Sequence, residues 1–235
     1  GPAFVATTPV NEPPTVNPAD GAAEELARGF LDAYAAFDAQ EAMTYVADDA
    51  DLRSLIDESH QVPANAEGLS LRLSLLQAMG VELTVTSCEA TPIGSDTSVV
   101  CYSFFHLLRS DQIGRGPFSN SPFVFTVRDG AIVRAGFGPE PQDKFFRQMW
   151  EPFAEWVSST YPKDAAVMYL DGPRHPPRFS LESIRLWERH TREYVEIRRA
   201  SAAVRQGTCS DGARWRLELT NLVAVDQNRI RLRFE

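Results

Sequence analysis

His106 stands in the run Phe104-Phe105-His106-Leu107-Leu108, an imidazole among apolar neighbours. Such a histidine is either a general base tuned by burial or a core residue with one satisfied hydrogen bond. The residue types favour the structural role, because no acid can be assigned to orient the ring. Tyr34 falls on an apolar helix face, where its hydroxyl is either a donor to a ligand carbonyl or packing with its polar end at the rim. Cys88 and Cys101 are placed symmetrically about Gly94-Ser95. If a hairpin turns there, their Cβ atoms are opposed at about 4.5–5.5 Å, close to what a disulfide needs. The alternative is a pair of small buried apolar residues in a reduced protein. Cys209 is left over, and no Cys-x-x-Cys or His-rich pattern exists, so no structural metal is expected. Asp48, Asp49 and Asp51 form an acidic run without the glycine and bidentate glutamate of a calcium loop, and read as a solvated turn. No nucleophile elbow, phosphate loop, dinucleotide fingerprint or metalloprotease helix is present, and no cofactor is expected. GRGPF at 114–118 reads as an ordinary loop.

The elements that must position these residues begin with a helix over residues 22–37. Ala23, Leu26, Phe30, Tyr34 and Phe37 recur at helical spacing, with Glu24, Glu25, Arg28 and Asp32 on the other face. Asp38 stops this helix and caps the next, with Glu41 placed for a capping box. Residues 70–79 predict another helix, closed by Gly80. Val81, Leu83 and Val85 alternate with Glu82, Thr84 and Thr86 as a strand does, and Val99–Leu108 is a second strand after the turn at 93–96. Carrying the symmetric register to the hairpin's end puts His106 on one face with Val81, Leu83, Val85, Phe104 and Leu108. Asp129-Gly130 between Phe123–Val127 and Ala131–Phe137 is the strongest hairpin signal. Helix returns over 141–200. Phe145, Phe146, Met149, Trp150, Phe153, Trp156 and Val157 form an aromatic stripe, read as core packing ahead of a ligand or partner groove. Pro152 opens a new helical turn, and Ser180 caps a last helix through Ile184, Trp187 and Tyr194. Beyond residue 200, Trp215, Leu217 and Leu219, then Ile230, Leu232 and Phe234, alternate with charged residues and predict a terminal hairpin.

Composition sets outer bounds on function. Apolar residues make up 43% and charged residues 23% of the 235, ordinary for a globular protein. A formal charge of −9 argues against a nucleic-acid surface, which needs clustered Lys and Arg. No apolar run approaches the roughly 20 residues of a membrane span. Five prolines among residues 1–20 suggest a semi-rigid linker, or a cloning-derived tail, since Gly1-Pro2 reads as a protease-site remnant. That reading leaves room for an upstream leader or membrane anchor.

The run AAEELARGFLDAYAAFDAQEAMTYVADDA at 22–50 resembles the opening helices of the nuclear-transport-factor-2-like (NTF2-like) superfamily, which includes ketosteroid isomerase, polyketide cyclase and SnoaL-like domains. FFHLLRSDQIGRGPF and MWEPFAEWVSSTYPKDAAVMY are similar to uncharacterised actinobacterial SnoaL-like proteins, and the likeness covers roughly residues 22–197. The resemblance implies an α+β cone: a curved antiparallel sheet wrapped by N-terminal helices around a pocket. The organisation expected is a linker or tail at 1–20, the cone at 21–140, a helical extension at 141–200 and a strand-rich tail at 201–235. Phe30, Tyr34, Phe104, His106 and Phe123 are the pocket candidates. Ketosteroid isomerase works with a carboxylate base and an oxyanion hole made of a tyrosine and a protonated acid. Those three positions would fall on Phe30, Ser54 and Phe123, none of which can serve, so that mechanism is not expected. The leading expectation is a non-catalytic pocket domain outside the cytoplasm, binding a small hydrophobic ligand or a protein partner, with a homodimer as one arrangement. The competing expectation is an enzyme acting on a hydrophobic substrate with His106 as base.

Overall fold

The structure, a computed structural model, describes residues 18–57, 59–119, 121–139, 143–172 and 175–206. The chain divides into two compact units after Arg199, and the sheet and both cores belong to the first. The expected linker at 1–20, save its last residues, and the expected terminal hairpin lie outside the described residues.

Helix α1 (Pro18–Ala35) forms where the apolar stripe predicts it and buries Ala27, Phe30, Leu31 and Tyr34. Asp38 caps α2 (Ala39–Met43) by accepting the Glu41 N–H at 2.9 Å. The reciprocal half of the expected capping box does not form. The Asp38 N–H is already bonded to the Ala33 carbonyl, and the Glu41 carboxylate accepts the Tyr45 hydroxyl instead. Next come β1 (Val46–Asp51), α3 (Arg53–Ile56) and α4 (Ala66–Ala78). Asn65 caps α4, and Gly80 ends it at φ +67° while the Val81 N–H reaches back to the Leu76 carbonyl at 3.0 Å.

The remaining strands are β2 (Glu82–Ile93), β3 (Asp96–His106), β4 (Phe118–Ser119), β5 (Phe123–Arg128) and β6 (Ala131–Phe137). They form a six-stranded sheet in the order β1-β6-β5-β3-β2, with β4 on β3. The α+β architecture, a curved sheet with helices against it, is the one expected. Asp129 and Gly130 turn the β5–β6 hairpin with positive φ at both positions, as a primed turn requires. One departure is β1. The acidic run 48–51 belongs to a strand paired parallel to β6, so the sheet is not wholly antiparallel. Its carboxylates hid it, because among the described residues β1 pairs along one edge and its middle residues face water.

A second departure decides the site. The hairpin turns at Gly94-Ser95, and Cys88 pairs with Cys101 as the symmetry predicts. A bulge between Val85 and Ser87 then inserts Thr86, so Leu83 faces Phe105 instead of His106. One extra residue flips every side chain below it to the other face. Inward positions on β2 change from Leu83 and Val85 to Cys88 and Ala90, while β3 keeps Val99, Cys101, Ser103 and Phe105 inward throughout.

After β6 come α5 (Asp143–Phe145), a π-helical turn (Phe146–Trp150), α6 (Glu151–Thr160), α7 (Pro162–Met168) and α8 (Leu181–Gln206). Pro152 lies in the first turn of α6, directly after the π-helical turn that leads into it. Ser180 accepts the Ser183 N–H at 3.1 Å, the cap its position predicts, and α8 runs past residue 200. One core lies under α1 and includes Phe30, Leu73, Cys101, Phe123 and Phe125. The other includes Leu75, Phe105, Phe145, Phe153, Trp187 and Tyr194.

Candidate functional site

Between the sheet and α1, α3 and α4 lies a cavity of about 420 Å³. Tyr34 comes from α1, Leu55 and Ile56 from α3, Arg72 and Leu76 from α4. The sheet contributes Leu83, Phe105, Phe123 and Phe137. Gly136 of β6 permits the close approach of α3 to the sheet; a Cβ there would sit 2.8 Å from the Ser54 Oγ. Pro176, Pro177 and Phe179, in the segment before α8, close the remaining side.

That covering segment is fastened across the mouth. The Gln61 side chain donates through Nε2 to the Pro177 carbonyl at 3.1 Å and accepts the Phe179 N–H through Oε1 at 3.1 Å. From behind, Arg178 donates through its N–H to the Met168 carbonyl at 2.8 Å and through its guanidinium to the Leu170 carbonyl at 2.9 Å. Gln61 itself belongs to a loop wound around Asp57. That carboxylate accepts the N–H groups of Ser59, Gln61 and Val62 and the Ser59 hydroxyl. Asp57 lines the cavity, yet four loop donors engage its oxygens, so it organises the mouth.

Two polar side chains are differently placed. Arg72 lines the cavity with its Nε buried and unbonded among the described residues. Tyr34 is 3% exposed, and its ring is held edge-on to Phe123 at 5.8 Å. Sequence reasoning missed Arg72. Its signal was present, since Arg72 is the one charged residue of the segment Leu69–Ala78.

The other expected pocket residues separate. Tyr34 and Phe123 line the cavity, whereas Phe30 is wholly buried beside it against Phe125. Phe104 is 43% exposed on the opposite face of β3, and Phe105 occupies the inward position expected of it. His106 moves with Phe104 for the same reason, the bulge at Thr86. It is half-buried, with Nδ1 3.0 Å from the Ser110 Oγ and Gly116 packed against the ring. Cys88 and Cys101 form a disulfide within the sheet.

A denser set of ionisable groups lies away from the cavity. His190 is fully buried between Asp164 at 3.0 Å and Glu193 at 3.3 Å, and Glu193 also accepts the Tyr161 hydroxyl. That hydrogen bond pushes the Tyr161 phenol up to about 12. The group ties α7 to α8, and the imidazole has no open side from which to meet a substrate. No cluster that could hold a metal occurs among the described residues.

No protein-family model matches the chain, and no curated protein matches it. Solved structures do. An NTF2-like protein of unknown function from Cytophaga hutchinsonii matches 52% of this chain and 92% of its own at 10% identity, with a TM-score of 0.33. A protein with a ketosteroid isomerase-like fold from Catenulispora acidiphila, solved with trimethylamine, matches 52% and 89% at 15% identity, TM-score 0.36. A computationally designed binder of 17-OHP matches 52% and 94% at 17% identity, TM-score 0.37.

Proposed function

We propose that this chain is a non-catalytic pocket module that binds a small hydrophobic ligand. One observation carries the reading: a cavity of about 420 Å³ walled mainly by apolar side chains, where the one carboxylate among the described lining residues is committed to its own loop. A volume in this range suits a small organic molecule, and burial of its apolar surface supplies the affinity. The competing enzyme reading needs a base inside the cavity. His106, its candidate, lies on another face, and the histidine flanked by acids, His190, is enclosed elsewhere.

The unit of function on this reading is the cone at 21–140 supported by the helices of 141–200, with the actinobacterial affinity suggested by residues 104–118 and 149–169. We place the protein outside the cytoplasm, because the Cys88–Cys101 bridge persists in an oxidising compartment. No helix among the described residues is long and apolar enough to cross a membrane. Native mass spectrometry of protein recovered from its own host tests the ligand reading. A stoichiometric adduct that is lost in Leu83→Trp, which fills the cavity, supports it. Adducts unaffected by that substitution, or turnover of a recovered compound, would replace it.

A further inference from the structure

We infer that the ligand of this cavity is an amphipathic acid, its hydrophobic body in the apolar space and its carboxylate held by the Arg72 guanidinium. The inference deepens the pocket reading above and rests on it.

A guanidinium enclosed by apolar side chains costs free energy unless it is paired, and proteins pair such groups almost without exception. Arg72 is half-buried, and one edge of its guanidinium falls under that rule. Its Nε is buried without a hydrogen-bond partner, and none of the ion pairs among the described residues includes it. The carboxylate that lines the same cavity, Asp57, is engaged by Ser59, Gln61 and Val62. Among the described residues the protein therefore supplies the cation without its counter-ion.

The geometry of the missing partner follows from the group that waits for it. A guanidinium presents parallel N–H donors that match the two oxygens of a carboxylate. Arg72 is also the one basic residue among the described residues that line the cavity. A single positive charge balances one carboxylate and under-compensates a phosphate ester of higher charge. Tyr34 lines the same cavity, so its hydroxyl is a second polar group within reach of the head group. A neutral hydrophobic ligand would fill the space and leave the Arg72 Nε unmet.

Titration calorimetry with decanoate and 1-decanol at neutral pH separates the alternatives, since the two probes share a chain and differ in the head. The wild-type protein is expected to prefer decanoate by about tenfold or more. Arg72→Met is expected to erase that preference while leaving 1-decanol affinity within about twofold. Tyr34→Phe should weaken decanoate by a few-fold. Equal affinity of the wild-type protein for both probes, or an undiminished preference in Arg72→Met, overturns the inference and leaves the pocket reading standing. Should Arg72→Met fail to fold, Arg72→Lys decides. The preference falls several-fold if the planar fork holds the carboxylate, and an unchanged preference overturns the inference. If neither probe binds, or both still bind Leu83→Trp, the pocket reading itself fails and this inference with it.

Discussion

The core beneath α1 and the core beneath α8 are made of different material. In the first, a sheet face meets helices: Val99, Cys101, Phe123, Phe125 and Ile132 face Ala27, Phe30 and Leu31 of one helix, and the Cys88–Cys101 bridge staples two of the strands. In the second, rings are layered between helices. Trp187 stacks on Trp150 at 5.5 Å and on Phe153 at 5.4 Å, with Tyr169 edge-on at 5.2 Å. The two cores share α4 and β3. Leu69, Leu73 and Leu76 of α4 enter the first, and Leu75, Ala78 and Met79 the second. The cavity lies along that shared wall, with Leu76 on one side and Phe105 on the other. A pocket opens where two cores of unlike shape share a helix but cannot both fill the space beside it.

Shared elements imply shared melting, which is the comparison's most exposed point. Trp187→Ala and Phe125→Ala each remove a ring with no exposed surface, and each should cost about 3–5 kcal/mol by denaturant titration. Both variants should unfold in a single transition monitored by far-ultraviolet dichroism and by tryptophan fluorescence. Separate midpoints for the two signals would show that the cores are independent. Removing the staple is the next largest effect. Cys88→Ala with Cys101→Ala opens a loop of sequence separation 13, and loops of that size stabilise by about 3 kcal/mol. Free alkylation of both thiols in non-reduced protein would remove this contribution and the support it lends to the compartment.

Smaller changes sharpen the contrast. The Tyr169 hydroxyl is buried in the second core without a partner among the described residues, and burial raises its pKa. Tyr169→Phe removes that desolvated group, so stability should hold or rise by up to about 1 kcal/mol. A loss of stability would reveal a partner for the hydroxyl. His106→Gln breaks the contact with Ser110 and should cost about 1 kcal/mol, with decanoate binding unchanged because the ring is outside the cavity. A change in decanoate affinity would return His106 to the site.

The smallest effect belongs to the edge of the first core. Arg53 hydrogen-bonds Asp51 and lowers its carboxyl from 3.8 to about 2. The folded value lies below the unfolded one, so this stabilisation is present above about pH 4 and is lost as pH falls toward 2. Water screens the pair, since the Arg53 side chain is 62% exposed, and the contribution is a few tenths of a kcal/mol. Asp51→Asn should flatten the acid limb of the stability profile by that amount. An unchanged limb would mean the pair adds nothing.

Local signals were legible wherever one periodicity met one partner. The stripe through Phe30 and Tyr34 predicted α1, Asp38 and Ser180 predicted caps, and Asp129-Gly130 predicted a hairpin, because each depends on residues within a few positions. The Cys88–Cys101 pairing followed from the turn alone, since the bulge lies on its far side. Beyond Thr86 the same reasoning placed Phe104 and His106 inward, and the structure turned them out in favour of Phe105. A bulge is chosen by the packing of a whole sheet, and no short pattern around Thr86 announces it. Strand β1 was hidden for a related reason, as its partner among the described residues is β6, some eighty positions away in sequence. Arg72 needed most of all. That it is the lone charge in a leucine-rich stretch was written in the sequence; that no acid among the described residues pairs with it was decided only by how α4, β3 and the segment before α8 line the cavity.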